Sequence, residues 1–439
     1  MLPRRYDHIV AFRYEDGSLL AFHDYNLQVA QVDEGVWTAL SQAPIAGSTT
    51  SPVAEAWEDL QIWNQEVSPT SQDAPPAKLR ALSIHVAQIC NMRCTYCGAG
   101  GDGTYGAKEK KIDIDDVLPM LTQMLRETPD GDSFQLNFLG GEPLLYPDLV
   151  EEIIRYSRLL TAGRNIRLLN RIVTNGTLIN SRTLKLLTQY NFEVMVSIDG
   201  PPSITDRVRP MATRQGSSSL VHEGMTKLCQ VRGGLRALKT NSVFGEHHMD
   251  LVATYEFLRS YSPDQMTFTY ALGSGDIELA RQFARGFARV AQIAFALGGE
   301  RELRRIDVFD NLFERLDRQV RLHNLCGVGK SFLVMDTLRN VHVCNWFANH
   351  PEERVGYKDE LFHKQMEQYT RSLIELNNCH DCWARHLCGG GCLYANKLET
   401  GDKHKSDPSF CVRQRDILAT GIFYYAKARA EENETSKDE

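Results

Sequence analysis

The chain has 439 residues, 42% hydrophobic and 24% charged, which excludes a disordered or low-complexity polymer and allows a large core without covalent staples. Its 49 basic and 56 acidic residues leave a formal net charge of −7, so it offers no basic field to nucleic acid or to an anionic membrane. No apolar run approaches a membrane span, and Met1-Leu2-Pro3-Arg4-Arg5-Tyr6 lacks a secretory apolar segment, so the chain is expected to be cytoplasmic, with neither nucleic-acid nor membrane partners.

Residues 1–67 read as a small α+β unit. The apolar runs His8–Tyr14 and Leu19–His23 flank Asp16-Gly17, a hairpin turn pair, and Gln28–Val32 offers a third strand. Helical patterns follow near Glu34–Gln42 and Val53–Gln65, and the Ser- and Pro-rich residues 68–78 read as a linker. From Leu79 the texture changes. Strand-like runs at Leu82–Val86, Phe134–Leu139, Ile166–Val173, Phe192–Ile198, Leu235–Val243 and Gln265–Tyr270 alternate with helical stretches. The helices are placed near Asp115–Arg126, Leu149–Leu160, Ser181–Tyr190, His222–Val231 and Leu251–Tyr261. Such alternation implies βαβ units and a parallel sheet, closed either as an open barrel or as a doubly wound sheet. Residues 276–325 are mostly helical, with Phe283, Phe287, Val290, Ala294 and Leu297 on one stripe expected to be buried. Residues 326–430 are loop-rich and cysteine-dense, and 431–439 form a polar tail expected to fray.

The eleven cysteines carry the most information. In a reducing cytosol disulfides are not expected. Cys90-Asn91-Met92-Arg93-Cys94-Thr95-Tyr96-Cys97 has the spacing C-x3-C-x2-C and directly follows the first barrel strand, at the strand end where α/β sheets keep their chemistry. Three thiolates on one short loop can hold a four-iron cluster and leave one iron open to an amine and a carboxylate. Zinc is the alternative, but it usually takes four ligands and no fourth lies nearby.

This loop resembles the signature of the radical S-adenosylmethionine (SAM) enzymes, with Tyr96 in its aromatic place. The resemblance implies an α/β fold: a partial (β/α)6 TIM-like barrel over 79–275, a small N-terminal α+β domain and a loop-rich C-terminal iron–sulfur domain. It further implies a [4Fe–4S] cluster on Cys90, Cys94 and Cys97, with SAM at the open iron. Gly140-Gly141-Glu142-Pro143, after the second strand, matches the motif whose backbone and Glu142 receive the methionyl amine. Ser197-Ile198-Asp199-Gly200 resembles the ribose-contacting segment, which assigns Ser197 and Asp199 to the sugar. Arg209 would take the methionyl carboxylate, because a guanidinium matches a carboxylate in charge and shape. Thr174 and Asn175, ending the third strand, would add polar contacts. Gly100-Gly101-Asp102-Gly103-Thr104-Tyr105-Gly106 either lets the backbone run close to the cofactor or is only a turn.

The C-terminal set Cys326, Cys344, Cys379, Cys382, Cys388, Cys392 and Cys411 resembles the SPASM extension of peptide-modifying radical SAM enzymes, which carries two auxiliary [4Fe–4S] clusters. The spacing alone would also suit two zinc ions. The resemblance gives Cys379, Cys382, Cys388 and Cys411 to one cluster and Cys326, Cys344 and Cys392 to the other, for three clusters in all. Full cysteine ligation of both auxiliary cubanes takes eight thiolates and seven are present, so the second has an open iron or a non-cysteine ligand, with Asp336 and His342 in the intervening segment. There are two departures from the family. Arg339 stands where a glycine is usual, and no further cysteine directly follows Cys326, as it does in the sulfatase-maturing branch. Cys229 stands alone, as a buried helical thiol, a remote ligand or a hydrogen-atom donor, and is the one catalytic candidate outside the clusters.

The function implied is reductive cleavage of SAM and radical crosslinking (C–C, thioether or C–O) of a ribosomally made precursor peptide. The N-terminal unit resembles the winged-helix-like modules that bind a leader segment by strand addition. An electron donor such as flavodoxin or ferredoxin completes the partners. Anaerobic sulfatase maturation, peptide epimerisation with Cys229 as donor, and a non-catalytic iron–sulfur or zinc scaffold are the alternatives.

Overall fold

The computed structural model describes residues 3–40, 63, 72–73, 78–98, 111–273 and 275–435. The expected helix at Val53–Gln65 (Trp63 excepted), most of the linker, and Gly100–Gly106 lie outside the described residues, as does the end of the tail at 436–439. The chain divides into two compact units.

The first unit comprises Met1–Pro75, Leu272–Cys326 and Ser372–Glu439. Strands β1 (Arg4–Tyr6), β2 (Ile9–Arg13), β3 (Leu19–His23) and β4 (Gln28–Gln31) form an antiparallel sheet in that order. Both faces of its centre are buried. Ile9, Ala11, Leu19 and Ala21 pack with Trp37, Ala39 and Leu40, and the helix Glu34–Ala39 is capped by Asp33, whose side chain accepts from Val36 N–H at 2.9 Å. On the other face Phe12 and Phe22 meet Trp383. Two short strands, β5 (Gln72–Asp73) and β12 (Val320–Arg321), pair in parallel. The helix Ile277–Leu303 buries Phe283, Phe287, Val290 and Ala294, as the stripe predicts, but Leu297 is 51% exposed. The helical geometry breaks just after Leu297, at Gly298 and Gly299, with φ +59 at Gly299. The helix Pro408–Thr435 continues through residues 431–435, where fraying was expected.

The second unit comprises Pro76–Ala271 and Gly327–Arg371. Six parallel strands lie side by side in chain order: β6 (Ala81–Ala87), β7 (Ser133–Gly140), β8 (Arg167–Thr174), β9 (Glu193–Ser197), β10 (Ala237–Phe244) and β11 (Gln265–Tyr270). Helices at Ile114–Glu127, Pro147–Leu160, Ser181–Gln189, Ser218–Gln230 and Leu251–Arg259 cross between them. Strands β7, β10 and β11 alternate in burial, whereas β6 is buried at every residue from Leu82 to Ala87. In β7, Phe134, Leu136 and Phe138 are fully buried, while Gln135 and Asn137 are half-buried on the opposite face. This is the expected α/β architecture, with two additions. Pro202 opens an unforeseen helix at Pro202–Val208. Strand β13 (Phe332–Met335) pairs in parallel with β6, and β14 (Asn340–His342), β15 (Gly356–Tyr357) and β16 (Glu360–Leu361) extend the sheet to ten strands. Residues 327–371 therefore group with the barrel rather than with the cysteine-dense region to which sequence order assigned them, because Leu333, Val334 and Met335 are wholly buried in its sheet. Among the described residues no helix is long and apolar enough to cross a membrane.

Candidate cluster and cofactor site

The loop Cys90–Cys97 leaves the C-terminal end of β6 and is held from two sides. Arg93 N–H donates to the Pro210 carbonyl at 2.8 Å, Thr95 N–H to Val208 at 2.9 Å, and Ala212 N–H to Asn91 at 2.8 Å. The segment that carries Arg209 is thus laced to the cysteine loop. From the end of β7, Gly141 N–H donates to Ala87 at 2.6 Å and Glu142 N–H to Ile89 at 3.0 Å. A Cβ on Gly140 would stand 2.3 Å from the Ala87 oxygen and one on Gly141 2.0 Å from the Ile89 oxygen, so this approach admits no side chain. Trp346 packs against Gly98, beside Cys97.

Cys90 and Cys94 are half-buried and Cys97 is exposed. Cys90 Sγ receives Met92 N–H at 3.4 Å and the Asn175 amide at 3.6 Å. Burial, with the Glu142 charge adding to it, pushes the Cys90 thiol up to about 12, and burial raises Cys94 against the pull of Arg209. Burial disfavours a free thiolate at Cys90 and Cys94, and three unpaired thiols on one short loop at the end of β6 are a donor set that a cluster would take.

Glu142 is fully buried. Its Oε1 accepts from Leu144 N–H at 3.0 Å and Thr174 Oγ1 at 2.8 Å, and its Oε2 from Asn175 N–H at 2.7 Å. Three of about four acceptor positions are taken and one remains. Burial raises its carboxyl to about 7, although these bonds pull it down. Asn175 extends the network, donating at 2.8 Å to Asn91, which donates at 2.8 Å to Thr177. Glu142, Thr174 and Asn175 therefore join the ends of β7 and β8 to the cysteine loop.

Tyr96 donates its hydroxyl to Asp199, and Arg209 Nη1 donates to that same hydroxyl at 2.5 Å. The Arg209 and Asp199 charges lie 4.0 Å apart. Asp199 is fully buried, and its second oxygen accepts from Val243 N–H at 2.9 Å. The Tyr96 ring stacks on His247 at 4.4 Å. Burial raises the phenol far above its ordinary value, so Tyr96 stays a donor. Arg209 is 6% exposed, and its Nε has no acceptor among the described residues. A buried guanidinium with an unmet N–H next to the cysteine loop is the donor a carboxylate would satisfy. Ser197 ends β9, two residues before Asp199. Asp199, read as a ribose contact, here orients Tyr96 and Arg209.

In the first unit, Cys379, Cys382, Cys388 and Cys411 line one cavity together with Ser406 and Phe410. Burial pushes Cys388 up to about 12 and Cys411 to about 11. Cys326 and Cys392 also belong to the first unit, and Cys344 to the second, ahead of the 3-10 turn Asn345–Asn349. Among the described residues no group of His, Cys, Asp or Glu is arranged to hold a single metal ion. Asp336 accepts from Leu338 and Asn340 N–H at 2.9 Å each and lies 3.1 Å from His342 Nε2, so it braces the β13–β14 turn. In that turn Arg339 has φ +70, the left-handed region that favours the glycine usual there, and its side chain lies 3.7 Å from Asp116. Cys229 sits in the last turn of the helix Ser218–Gln230, its Sγ 3.5 Å from the Tyr261 carbonyl. A crossover helix runs back against its strands, so that turn lies at the end of the sheet opposite the cysteine loop, and Cys229 loses its candidacy as a hydrogen donor.

Sequence reasoning missed Asn91, Thr177, His247 and Trp346. Only Asn91, inside the motif, carried any signal.

Residues 84–258 match the Radical SAM superfamily model. The chain is 24% identical over 376 residues to a cysteine-type anaerobic sulfatase-maturating enzyme of Clostridium novyi (strain NT), covering 78% of this chain and 95% of that one. Among solved structures it resembles native anSMEcpe with bound AdoMet and Kp18Cys peptide, at TM-score 0.64 and 18% identity over 81% of this chain and 100% of that one. Streptococcus suis SuiB aligns at TM-score 0.50 and 14% identity, over 92% of this chain and 99% of that one. At these identities the structural likenesses establish a shared fold.

Proposed function

Because the chain carries a radical SAM domain over residues 84–258, and with it an enzyme's [4Fe–4S] cluster and SAM, we propose that it matures a ribosomally made precursor peptide by joining two of its side chains. When bound, the cluster and SAM supply a 5′-deoxyadenosyl radical that removes hydrogen from an unactivated carbon. The protein's own residues do the rest. Cys90, Cys94 and Cys97 hold the cluster. Arg209 offers Nε to the methionyl carboxylate, steadied by Tyr96 and Asp199. Glu142, with one acceptor position left, and the Gly140-Gly141 backbone take the ammonium, while Thr174 and Asn175 keep Glu142 in place and Ser197 meets the ribose. The observation that carries the cofactor site is the buried Arg209 with its unmet donor beside the cysteine loop.

The peptide substrate is supported by the relatives: one is named for maturing sulfatases, and one neighbour was solved with a peptide. The seven C-terminal cysteines would carry two auxiliary clusters, and the N-terminal sheet would receive the leader as an added strand. An electron donor of the flavodoxin or ferredoxin kind would feed the site. Sulfatase maturation is the second reading, favoured by the match to nearly the whole length of the Clostridium enzyme.

The test is anaerobic incubation of the reconstituted full chain with dithionite, SAM and a short peptide encoded beside it. A loss of two hydrogens, with fragment ions missing between two linked residues, supports the crosslink. A product that reacts with a hydrazide carries an aldehyde and replaces this reading with the sulfatase type.

A further inference from the structure

Four residues of the segment 381–387, namely Asp381, Trp383, Arg385 and His386, are gripped by the N-terminal sheet and its β3–β4 turn, all within the first unit. Asp24, in the β3–β4 turn, is fully buried. Its Oδ2 accepts from Arg385 Nη1 at 2.9 Å and from Arg5 at 3.1 Å, and its Oδ1 accepts from Arg385 Nη2 at 3.3 Å and lies 2.8 Å from His8 Nδ1. Arg385 also donates to the Cys382 carbonyl at 3.2 Å, so one guanidinium links the carboxylate to the backbone of a cysteine. Arg5 reaches the Asp381 carbonyl at 2.5 Å. Trp383, next to Cys382, is wedged edge-on between Phe12 at 5.1 Å and Phe22 at 6.1 Å. His386 meets Tyr25 edge-on at 5.9 Å. A bidentate arginine–carboxylate pair fixes orientation as well as distance, and an aromatic wedge admits few rotamers.

We propose that the N-terminal sheet positions the Cys379, Cys382, Cys388 and Cys411 set, with Asp24 acting through Arg385 and Trp383 as the packed hinge pin. Asp24 is then a positioning residue for an auxiliary cluster, and the sheet is more than a platform for a leader. The inference rests on the reading of those four cysteines as cluster ligands. It also has an electrostatic consequence. Asp24 places a negative charge close to the loop, which opposes the added electron, so its loss raises the cluster's reduction potential.

The test uses the full chain with Asp24→Asn, and Trp383→Phe as a second variant should the first not fold. Glu34→Gln, which breaks an exposed ion pair between the helix Glu34–Ala39 and Arg13 of β2, is the control. Hydrogen exchange of the 380–388 amides in the apo chain should quicken by about tenfold or more in Asp24→Asn, because a buried guanidinium is left unpaired, while the control matches the parent. In the loaded chain one auxiliary-cluster signal should titrate at a higher potential in Asp24→Asn, with the SAM-sensitive signal unmoved. Unchanged exchange overturns the proposal, and faster exchange with an unmoved potential overturns the positioning role. A parent chain showing only the SAM-sensitive cluster refutes the auxiliary-cluster reading instead, and exchange alone then decides whether the sheet holds the loop.

Discussion

Gly141→Ala puts a methyl group where the Ile89 carbonyl oxygen stands at 2.0 Å and its carbon at 2.4 Å. Both are backbone atoms, so no side chain can swing aside, and the end of β7 must part from the cysteine loop by roughly 1 Å to reach an ordinary contact. That movement strains the hydrogen bonds from Gly141 to Ala87 and from Glu142 to Ile89. At about 1 kcal/mol per bond, with overpacking of about 1–3 kcal/mol, the apo chain should lose about 3 kcal/mol or more. A displacement of about 1 Å at a positioned reactant costs about 10²-fold in rate. The assay is 5′-deoxyadenosine release under dithionite with saturating SAM, alongside thermal unfolding. Gly131→Ala is the control: its φ is +90, nothing lies within 4 Å, and it precedes β7 at the far end of the strand. It should cost about 1 kcal/mol and leave cleavage untouched. Wild-type cleavage by Gly141→Ala would refute the argument that the glycines hold the cysteine loop.

Arg209→Lys keeps the charge but loses Nε, and should weaken SAM binding by about ten- to a hundredfold in equilibrium dialysis, with cleavage recovered at high SAM. In the apo chain Glu142 holds its proton up to about 7, against an ordinary 4.5, so the folded state binds a proton there that the unfolded state has lost. Stability attributable to this group therefore falls as pH rises through that window, and Glu142→Gln should remove that slope in denaturant titrations. The methionyl ammonium favours the carboxylate, so SAM affinity should weaken as pH drops below about 7 in the parent and flatten in Glu142→Gln, measured by calorimetry. Cys379→Ala should abolish peptide product while SAM cleavage partly survives; full product formation would contradict an auxiliary-cluster role.

The barrel strands were legible because each is an apolar run with a helical pattern behind it. β13 was not, since Phe332–Met335 is a short run in cysteine-dense surroundings and pairs with β6 far back in the chain. β1 was missed because Arg4-Arg5-Tyr6 has no apolar pattern, and the strand is defined only by pairing with β2. Of the site, spacing exposed Cys90, Cys94 and Cys97, and residue chemistry exposed Arg209. Contacts made by folding stayed hidden, as with His247 beneath Tyr96 or Trp346 against Gly98. Glu142 read as a ligand for an amine, yet in the fold it first ties three backbone and side-chain donors together. Arg339 is the reverse case. The sequence marked it as a departure, and its φ of +70 supplies the reason.

The central claim is a cluster on the Cys90–Cys97 loop that cleaves SAM. Anaerobically reconstituted chain, reduced with dithionite and given SAM, should release 5′-deoxyadenosine and methionine in equal amounts, and Cys94→Ala should release neither. No cleavage by the parent, or undiminished cleavage by Cys94→Ala, would contradict it.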